Sequence, residues 1–425
     1  MIPAIAFGTL ATTVGLAVGR PRVGSFRFTP GTAAIIGVAI LLCTGVLSVG
    51  DVAVAMTIQS RPLLTLVCIM VMTGVVQEVG AFDRLAAKIE ARARTRSAAY
   101  TFTIVFVVSV ITPSLLNNDA AILILTPLVV AVVRRLYARD SALARAFAFA
   151  VFLAPGVAPF IVSNPMNMIV AEFAGLDFNS YAAVMVPISL AGAALTYVVL
   201  RGVFRRVLAN AVPTPAPAVT TVHRHAAERP AVALLVVVFL AYPVAASFGI
   251  EIWLVALVGA LGSLAIGRVY QVASMPRLLG HVSLDILAFL WGIFLVVRGL
   301  ENIGVVDWVA SLYAQTPVDS AAHVATVGVT SAVGSAIIDN HPMSLLNMLA
   351  IGGGDHHGKA SLLAALVGGD IGPRLLPIGS LAGLLWMDLL RRAGVQIRVR
   401  EFVRVGTLVL LPTLALSLAM LALMR

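Results

Sequence analysis

Twice along this chain, at matching places in its two halves, an apolar stretch of membrane-spanning length is broken by a cluster of polar residues. In the first half the breaks are Asn117, Asn118 and Asp119, then Ser163, Asn164, Pro165, Met166 and Asn167. In the second they are Asp339, Asn340, His341 and Pro342, then residues 370–380. Non-helical backbone at membrane depth is tolerated only where it is buried in protein or lines a wet cavity. Interruptions in corresponding positions of two halves point to the substrate site of a secondary transporter.

The composition agrees with a membrane-embedded chain: 60% of residues are hydrophobic and 11% charged, with a mean hydropathy of +1.02. Soluble domains carry about 25% charged residues. An all-α integral membrane protein is expected, with no soluble domain between its spans. The net charge of +10 comes from arginines dispersed among short loops, which fits orientation in a membrane better than nucleic-acid binding. Cys43 and Cys68 lie in apolar segments and provide neither a disulfide framework nor a CxxC metal cluster. The first apolar segment lacks a basic leader and a small-residue cleavage site and reads as a retained helix. No Walker A sequence and no paired nucleophile and base occur, so the chain reads as a transporter and not an enzyme, with no cofactor expected.

Hydrophobic runs place ten transmembrane helices at 2–19, 30–49, 62–80, 145–174, 180–204, 230–248, 251–267, 282–301, 359–390 and 402–424. Two re-entrant hairpins, at 98–134 and 321–351, have arms expected to be too short to cross comfortably. Basic loops at 20–27, 84–96, 134–139, 205–229, 268–277 and 391–404 then fall on one side, which the positive-inside rule makes cytoplasmic. The other side holds Asp51, Asp177, Glu251, Asp307, Asp319 and Asp355, with Arg61 and Lys359 as basic exceptions. Both termini are therefore expected outside. Residues 1–210 and 230–425 form two repeats of five crossings and one hairpin, joined by a basic cytoplasmic linker at 211–229. An odd number of crossings inverts the second repeat, so broken helices and hairpin tips meet at the midplane.

At the break from Ser163 to Asn167, proline frees a carbonyl in the preceding turn, and Ser163, Asn164 and Asn167 add donors and acceptors. Such groups suit a small polyhydroxylated solute or a dehydrated cation. An intramembrane carboxylate is a functional hypothesis by default. Asp119 is open to two roles, exchanging a proton against solute and capping the returning arm. Asp370 and Arg374, four apart, form either a structural pair or one released during transport. Asp339 and His341 flank Asn340, where histidine suits a proton switch and a hairpin cap alike. Glu78, Glu172, Glu301 and Asp388, near helix ends, read as snorkelled or paired. His356 and His357 are too few to make a metal site. Asp119, Asp339 and Asp370 near one cavity disfavour anionic cargo.

The strings NNDAAILILTPLV (117–129), SNPMNMIVAEFAGLDFNSYAAVMVP (163–187) and GGDIGPRLLPIGSLAGLLW (368–386) resemble the signatures of ArsB-type arsenite efflux permeases, within the ion transporter superfamily. The resemblance covers nearly the whole chain. It implies export of trivalent arsenite, and of antimonite, as the neutral trihydroxide in exchange for protons, across the inner (plasma) membrane. An optional cytoplasmic ArsA-type ATPase partner is also implied. Asn118, Asp119, Ser163, Asn164, Asn167, Asp370, Gly372, Pro373, Pro377, Gly379 and Ser380 match the family motifs. The second tip departs from the Asn-Asn-x-Pro-Thr pattern, with Asp339 for the first Asn and Met343 for Thr. The expected substrate-binding set is Asn117, Asn118, Ser163, Asn164, Asn167, Asn340, Gly379 and Ser380, with Asp119, Asp370, Arg374, Asp339 and His341 in proton coupling. Arsenic-thiolate binding wants about three cysteines, so recognition is expected to use hydroxyl-binding groups and not Cys43 or Cys68. A sodium/proton antiporter of the NhaD type is the alternative reading, and a di- or tricarboxylate carrier a third.

Overall fold

A computed structural model of the chain describes residues 2–137, 141–211, 224–318, 320–352 and 356–424; the side chains of Asp119, His356 and His357 lie outside the described part. The first half comprises α1 (Ile2–Gly19), α2 (Pro30–Cys43), α3 (Val49–Glu78), α4 (Ala81–Ala93), α5 (Ala98–Leu116), α6 (Asn118–Leu136), α7 (Ser141–Leu153), α8 (Pro165–Phe173), α9 (Phe178–Val203) and α10 (Arg205–Asn210). The second comprises α11 (Glu228–Ser247), α12 (Ile252–Val269), α13 (Met275–Leu279), α14 (Leu284–Glu301), α15 (Val305–Tyr313), α16 (Ala321–Ile338), α17 (Asn340–Ile351), α18 (His356–Ile371), α19 (Leu381–Arg392) and α20 (Val399–Met424). Two-residue strands, Arg22–Val23 and Phe26–Arg27, pair in the loop after α1.

Among the described residues, eight helices are long and apolar enough to cross a membrane. The two broken segments, α7 with α8 and α18 with α19, and the shorter α1 and α2 complete the bundle. The hairpins are α5–α6 and α16–α17, close to their expected bounds. Three of the four arms are longer than expected: α5 and α6 have 19 residues each and α16 has 18, about 27–29 Å at 1.5 Å per residue, so length alone does not set these apart from crossings. α17, with 12 residues and about 18 Å, is too short to cross, as expected.

A second correction concerns α3, which starts at Val49 and not at 62. Ser48 and Asp51 form a reciprocal capping box there, and Pro62 lies inside the helix. The charged stretch after α3, read as loop, is largely the amphipathic α4, and α15 takes the corresponding place in the second half.

Packing comes in matched sets. α2 lies on α14 and α12 on α3; α1 lies on α2 and α11 on α12; α4 supports α6 and α15 supports α17; α9 meets α20. Lipid gives helices no hydrophobic reason to associate, so close contacts rely on small residues. On α18, a Cβ at Gly368 would stand 2.8 Å from Ser331 Cβ and 2.9 Å from Ala332 N on α16. Phe102, Phe147, Phe149, Phe152, Trp386 and Phe402 fill the core among α5, α7, α19 and α20.

Candidate functional site

Both hairpins turn on a non-glycine residue with positive φ, Asn117 at 105° and Asp339 at 78°. Such backbone costs about 1–3 kcal/mol and persists where its surroundings enforce it. At the second tip, Asp339 Oδ1 accepts both the His341 backbone N–H (2.9 Å) and His341 Nδ1 (2.7 Å), so its carboxylate serves as the cap of α17. The His341 ring stands edge-on to Phe289 of α14. The backbone of Asp119 lies in the first turn of α6.

The broken segments repeat a local design. After α7 the chain runs into a 3-10 turn at Ile161–Ser163, and Asn164 caps α8 by accepting Met166 N–H (3.1 Å), with Pro165 at the first helical position. After α18, 3-10 turns at Gly372–Arg374 and Pro377–Gly379 precede Ser380, which caps α19 by accepting Gly383 N–H (3.0 Å). The N-termini of α6, α8, α17 and α19 therefore all lie at these tips and breaks, and each carries a partial positive charge.

Asp370 joins the two halves. Its Oδ1 accepts Asn164 Nδ2 (2.8 Å), and its Oδ2 accepts the Ala158 N–H (2.9 Å) and Asn167 Nδ2 (3.2 Å). Tyr181 braces that cradle: its hydroxyl accepts from Asn167 Nδ2 (2.5 Å) and donates to the Ala158 carbonyl (3.0 Å). Ser163 Oγ donates to the Ser114 carbonyl (2.9 Å), tying the break to the first hairpin.

Asp370 and Arg374 are not ion-paired with each other among the described residues. The buried Arg374 donates from Nη2 to the carbonyls of Leu153 (2.8 Å) and Pro155 (3.1 Å), and from Nη1 to Thr413 Oγ1 (3.3 Å) and Thr196 Oγ1 (3.5 Å). The guanidinium thus serves the carbonyls left over where α7 ends.

A cavity of about 30 Å³ is lined by Asn118, Asn164, Asn340, His341, Asp370, Arg374 and Ser380, among others. A second, of about 20 Å³, is lined by Ser114, Asn118, Ser163, Asn164 and Asp370. Two amide oxygens facing this region, Asn118 Oδ1 and Asn340 Oδ1, are shielded and have no hydrogen-bond partner among the described residues. Other expected site residues sit elsewhere. Asn117 lines a separate vestibule of about 930 Å³ with Thr73, Gln77, Glu90, Arg135 and His281. Asn167 reaches the site through Asp370, Asp339 lies behind its tip, and Gly379 is a close contact, where a Cβ would be 2.9 Å from Pro373 Cα.

Tyr181, the Ala158 N–H, Ser114, Thr196 and Thr413 are absent from the residues singled out in the sequence. A phenol in an apolar helix needs a partner, and that is the one signal that pointed to Tyr181. The acids near helix ends are paired: Glu78 with Arg277 and His281, Glu172 with Arg61, Glu301 with Arg298, and Asp388 with Arg391 and Arg392. Arg61 also reaches Glu251 (3.0 Å), so it links α3 to the end of α8 and the start of α12.

With this geometry in view, comparison with known proteins is specific. The family model described as ArsB, arsenical pump membrane protein, matches residues 7–424. The arsenical pump membrane protein of Escherichia coli is 30% identical over 404 residues, covering 92% of this chain and 93% of its own. That of Yersinia enterocolitica is 30% identical over 422 residues, covering 97% and 96%. Among solved structures, the Alcanivorax borkumensis YdaH transporter has a similar fold, with a TM-score of 0.59 at 17% identity over 99% of this chain and 96% of that one.

Proposed function

The chain belongs to the ArsB family of arsenical pump membrane proteins, and on that premise we propose that it exports trivalent arsenite, and antimonite, as the neutral trihydroxide in exchange for protons. The observation that carries this reading is the small cavity at the meeting of both tips, with two unpartnered acceptors, Asn118 Oδ1 and Asn340 Oδ1, beside the Asp370 carboxylate. Unpartnered acceptors call for donors, and a trihydroxide brings three O–H groups. Four helix N-termini and Arg374 stand against one carboxylate among the described lining residues, so charge does not select a neutral solute; the two acceptors do, because an anion without O–H groups has nothing to donate to them.

Coupling follows from competition at one group. Ionised Asp370 accepts hydrogen bonds from the first break and can accept one from solute; a proton on the same carboxylate turns an acceptor into a donor and expels the solute. Asp119 at the first tip supplies a second acid, and the Asp339–His341 couple a third titratable unit. In this reading the two repeats, 1–210 and 230–425, are inverted and exchange access to the site in turn. Most of the linker at 211–229 lies outside the described residues. The basic loops face the cytoplasm and both termini face outward from the inner membrane. The 930 Å³ vestibule, which holds Arg135 and Glu90 at one end and Asn117 at the other, is the cytoplasmic approach to the first tip. A cytoplasmic ArsA-type ATPase is an optional partner.

Everted membrane vesicles test this directly. Arsenite is expected to accumulate when the lumen is acidified and to leak back when a protonophore is added. Accumulation that follows a sodium gradient instead, or ignores the proton gradient, overturns the coupling.

Neither cysteine takes part. Cys43 is exposed at the end of α2, Cys68 is buried in α3, and neither lines the two small cavities. The double variant Cys43→Ser, Cys68→Ser is expected to keep arsenite resistance in a sensitive host. Loss of resistance at normal membrane abundance would count against thiol-free binding.

A further inference from the structure

Two cavities larger than those of the site lie at opposite ends of one helix. Met70, Thr73, Gly74 and Gln77 of α3 wall the 930 Å³ vestibule, which ends at Asn117 of the first tip. Arg61, Pro62 and Thr65 of the same helix wall a cavity of about 400 Å³, which ends at Ile161 and Met168 of the first break. From Arg61 to Gln77 is sixteen residues, about 24 Å along α3. One cavity thus approaches the site along the first tip and the other along the first break. The second is blind in the conformation described, because Ile161 and Met168 are buried and close its inner end.

At the exposed mouth of the blind cavity a single guanidinium stands between two carboxylates. Arg61 Nη1 reaches Glu172 Oε1 (3.2 Å), in the last turn of α8, and Glu251 Oε1 (3.0 Å), the residue before α12. Among the described residues lining this cavity Arg61 is the one basic side chain, against Glu172, Asp177 and Glu251. Asp177 is occupied in capping α9, where it accepts the Asn179 N–H (2.9 Å) and the Ser180 N–H (3.0 Å). Without Arg61, the Glu172 and Glu251 oxygens would stand within about 6 Å of each other with no opposite charge between them, and like charges at that range repel.

The contact is joined to the site by α8, which is nine residues long, about 13 Å, and capped at its start by Asn164. Asn164 and Asn167, near that start, hold Asp370; Glu172, at the far end, is held by Arg61. Glu251 keeps Arg61 in place from α12, which packs on α3. We infer that Arg61, anchored by Glu251, latches Glu172 of α8 and so keeps the cavity among α3, α8 and α12 shut to the site while the vestibule is open, which makes this cavity the outer release route; the inference rests on the substrate site and orientation proposed above. Release of Asp370 by the two asparagines frees the first end of α8, and parting of Glu172 from Arg61 frees the second. Arg61 is then still paired with Glu251, so opening strands no cation. Exposed ion pairs are weak and screened by salt, which suits a contact that must part in every cycle.

In the Cys43→Ser, Cys68→Ser background, Met168→Cys and Ala171→Cys each place one thiol on the blind cavity, at positions buried in the conformation described. Their rates of modification by a cationic and by an anionic membrane-impermeant methanethiosulfonate, added outside spheroplasts, read the opening. Adding Arg61→Gln is expected to raise the rates with both reagents by about threefold or more. Arg61→Lys should stay within about twofold of the unaltered latch, since one nitrogen serves both carboxylates and an ammonium can take its place. Unchanged rates with Arg61→Gln overturn the latch. So does a rise with the cationic reagent alone, which reports the local field and not an opening. Modification in everted vesicles and not in spheroplasts overturns the proposed orientation, and the outer route with it.

Discussion

Asp370→Asn is expected to abolish proton-driven arsenite transport in protein that still reaches the membrane. The wild-type carboxylate accepts three N–H groups on two oxygens. An asparagine offers one oxygen, and its amide nitrogen must turn toward donors whichever way the group is placed. Hydrogen bonds to a charged group contribute about 1.5–3 kcal/mol each, and an orphaned donor adds a desolvation cost of about 1–3 kcal/mol, so the cradle loses several kcal/mol of definition. Asparagine also cannot take up the exchanged proton. A fall of about 100-fold or more corresponds to roughly 2.7 kcal/mol and lies within that loss. The measurement is uptake into acid-loaded everted vesicles, normalised to membrane abundance. Asp370→Asn vesicles that accumulate arsenite within about threefold of wild type, about 0.7 kcal/mol, would remove Asp370 from the coupling step.

What was legible in the chain follows from what is local. The hairpins were readable because polar tips interrupt runs of constant hydropathy, and their bounds came out within two residues of α5–α6 and α16–α17. The capped restarts at Asn164 and Ser380 follow from side chains a few residues away. The start of α3 was hidden by the polar stretch from Thr57 to Arg61, which reads as loop. It is helical because the Ser48–Asp51 box starts the helix earlier and Arg61 finds Glu172 and Glu251 at one end of the bundle. The amphipathic α4 was lost for a similar reason, since its charges satisfy the loop pattern as well as the helical one.

The partners of Asp370 and Arg374 could not be read at all. Four residues apart, the two invite pairing, yet every bond they make goes to residues 39 to 221 positions away. Spacing along a helix says which side chains share a face. It does not say which backbone a break elsewhere will leave exposed for them. The unpartnered oxygens of Asn118 and Asn340 were likewise invisible, because an amide's satisfaction depends on the whole enclosure.

The buried guanidinium gives the second large effect. Arg374→Lys, conservative in charge, is expected to lower transport by about tenfold or more, because an ammonium is a point donor and cannot reproduce a planar fork. That fork reaches two carbonyls at the end of α7 and two threonines, Thr196 of α9 and Thr413 of α20. The surroundings are shaped to it. A Cβ at Gly156 would stand 3.0 Å from Nη2, and one at Gly406 would overlap the Arg374 carbonyl. A shorter reach strands the Leu153 or Pro155 carbonyl at membrane depth, where no lipid can satisfy it. The broken segment then relaxes, and Ala158, three residues past Pro155, no longer aims its N–H at Asp370. Arg374→Gln removes the charge as well and is expected to lower membrane abundance, since each hydrogen bond lost from a charged group costs about 1.5–3 kcal/mol and leaves a buried carbonyl unsatisfied. Vesicle uptake and abundance measured side by side separate the two variants. Arg374→Lys protein at full abundance with wild-type transport would show that the fork is not what holds the first break in place.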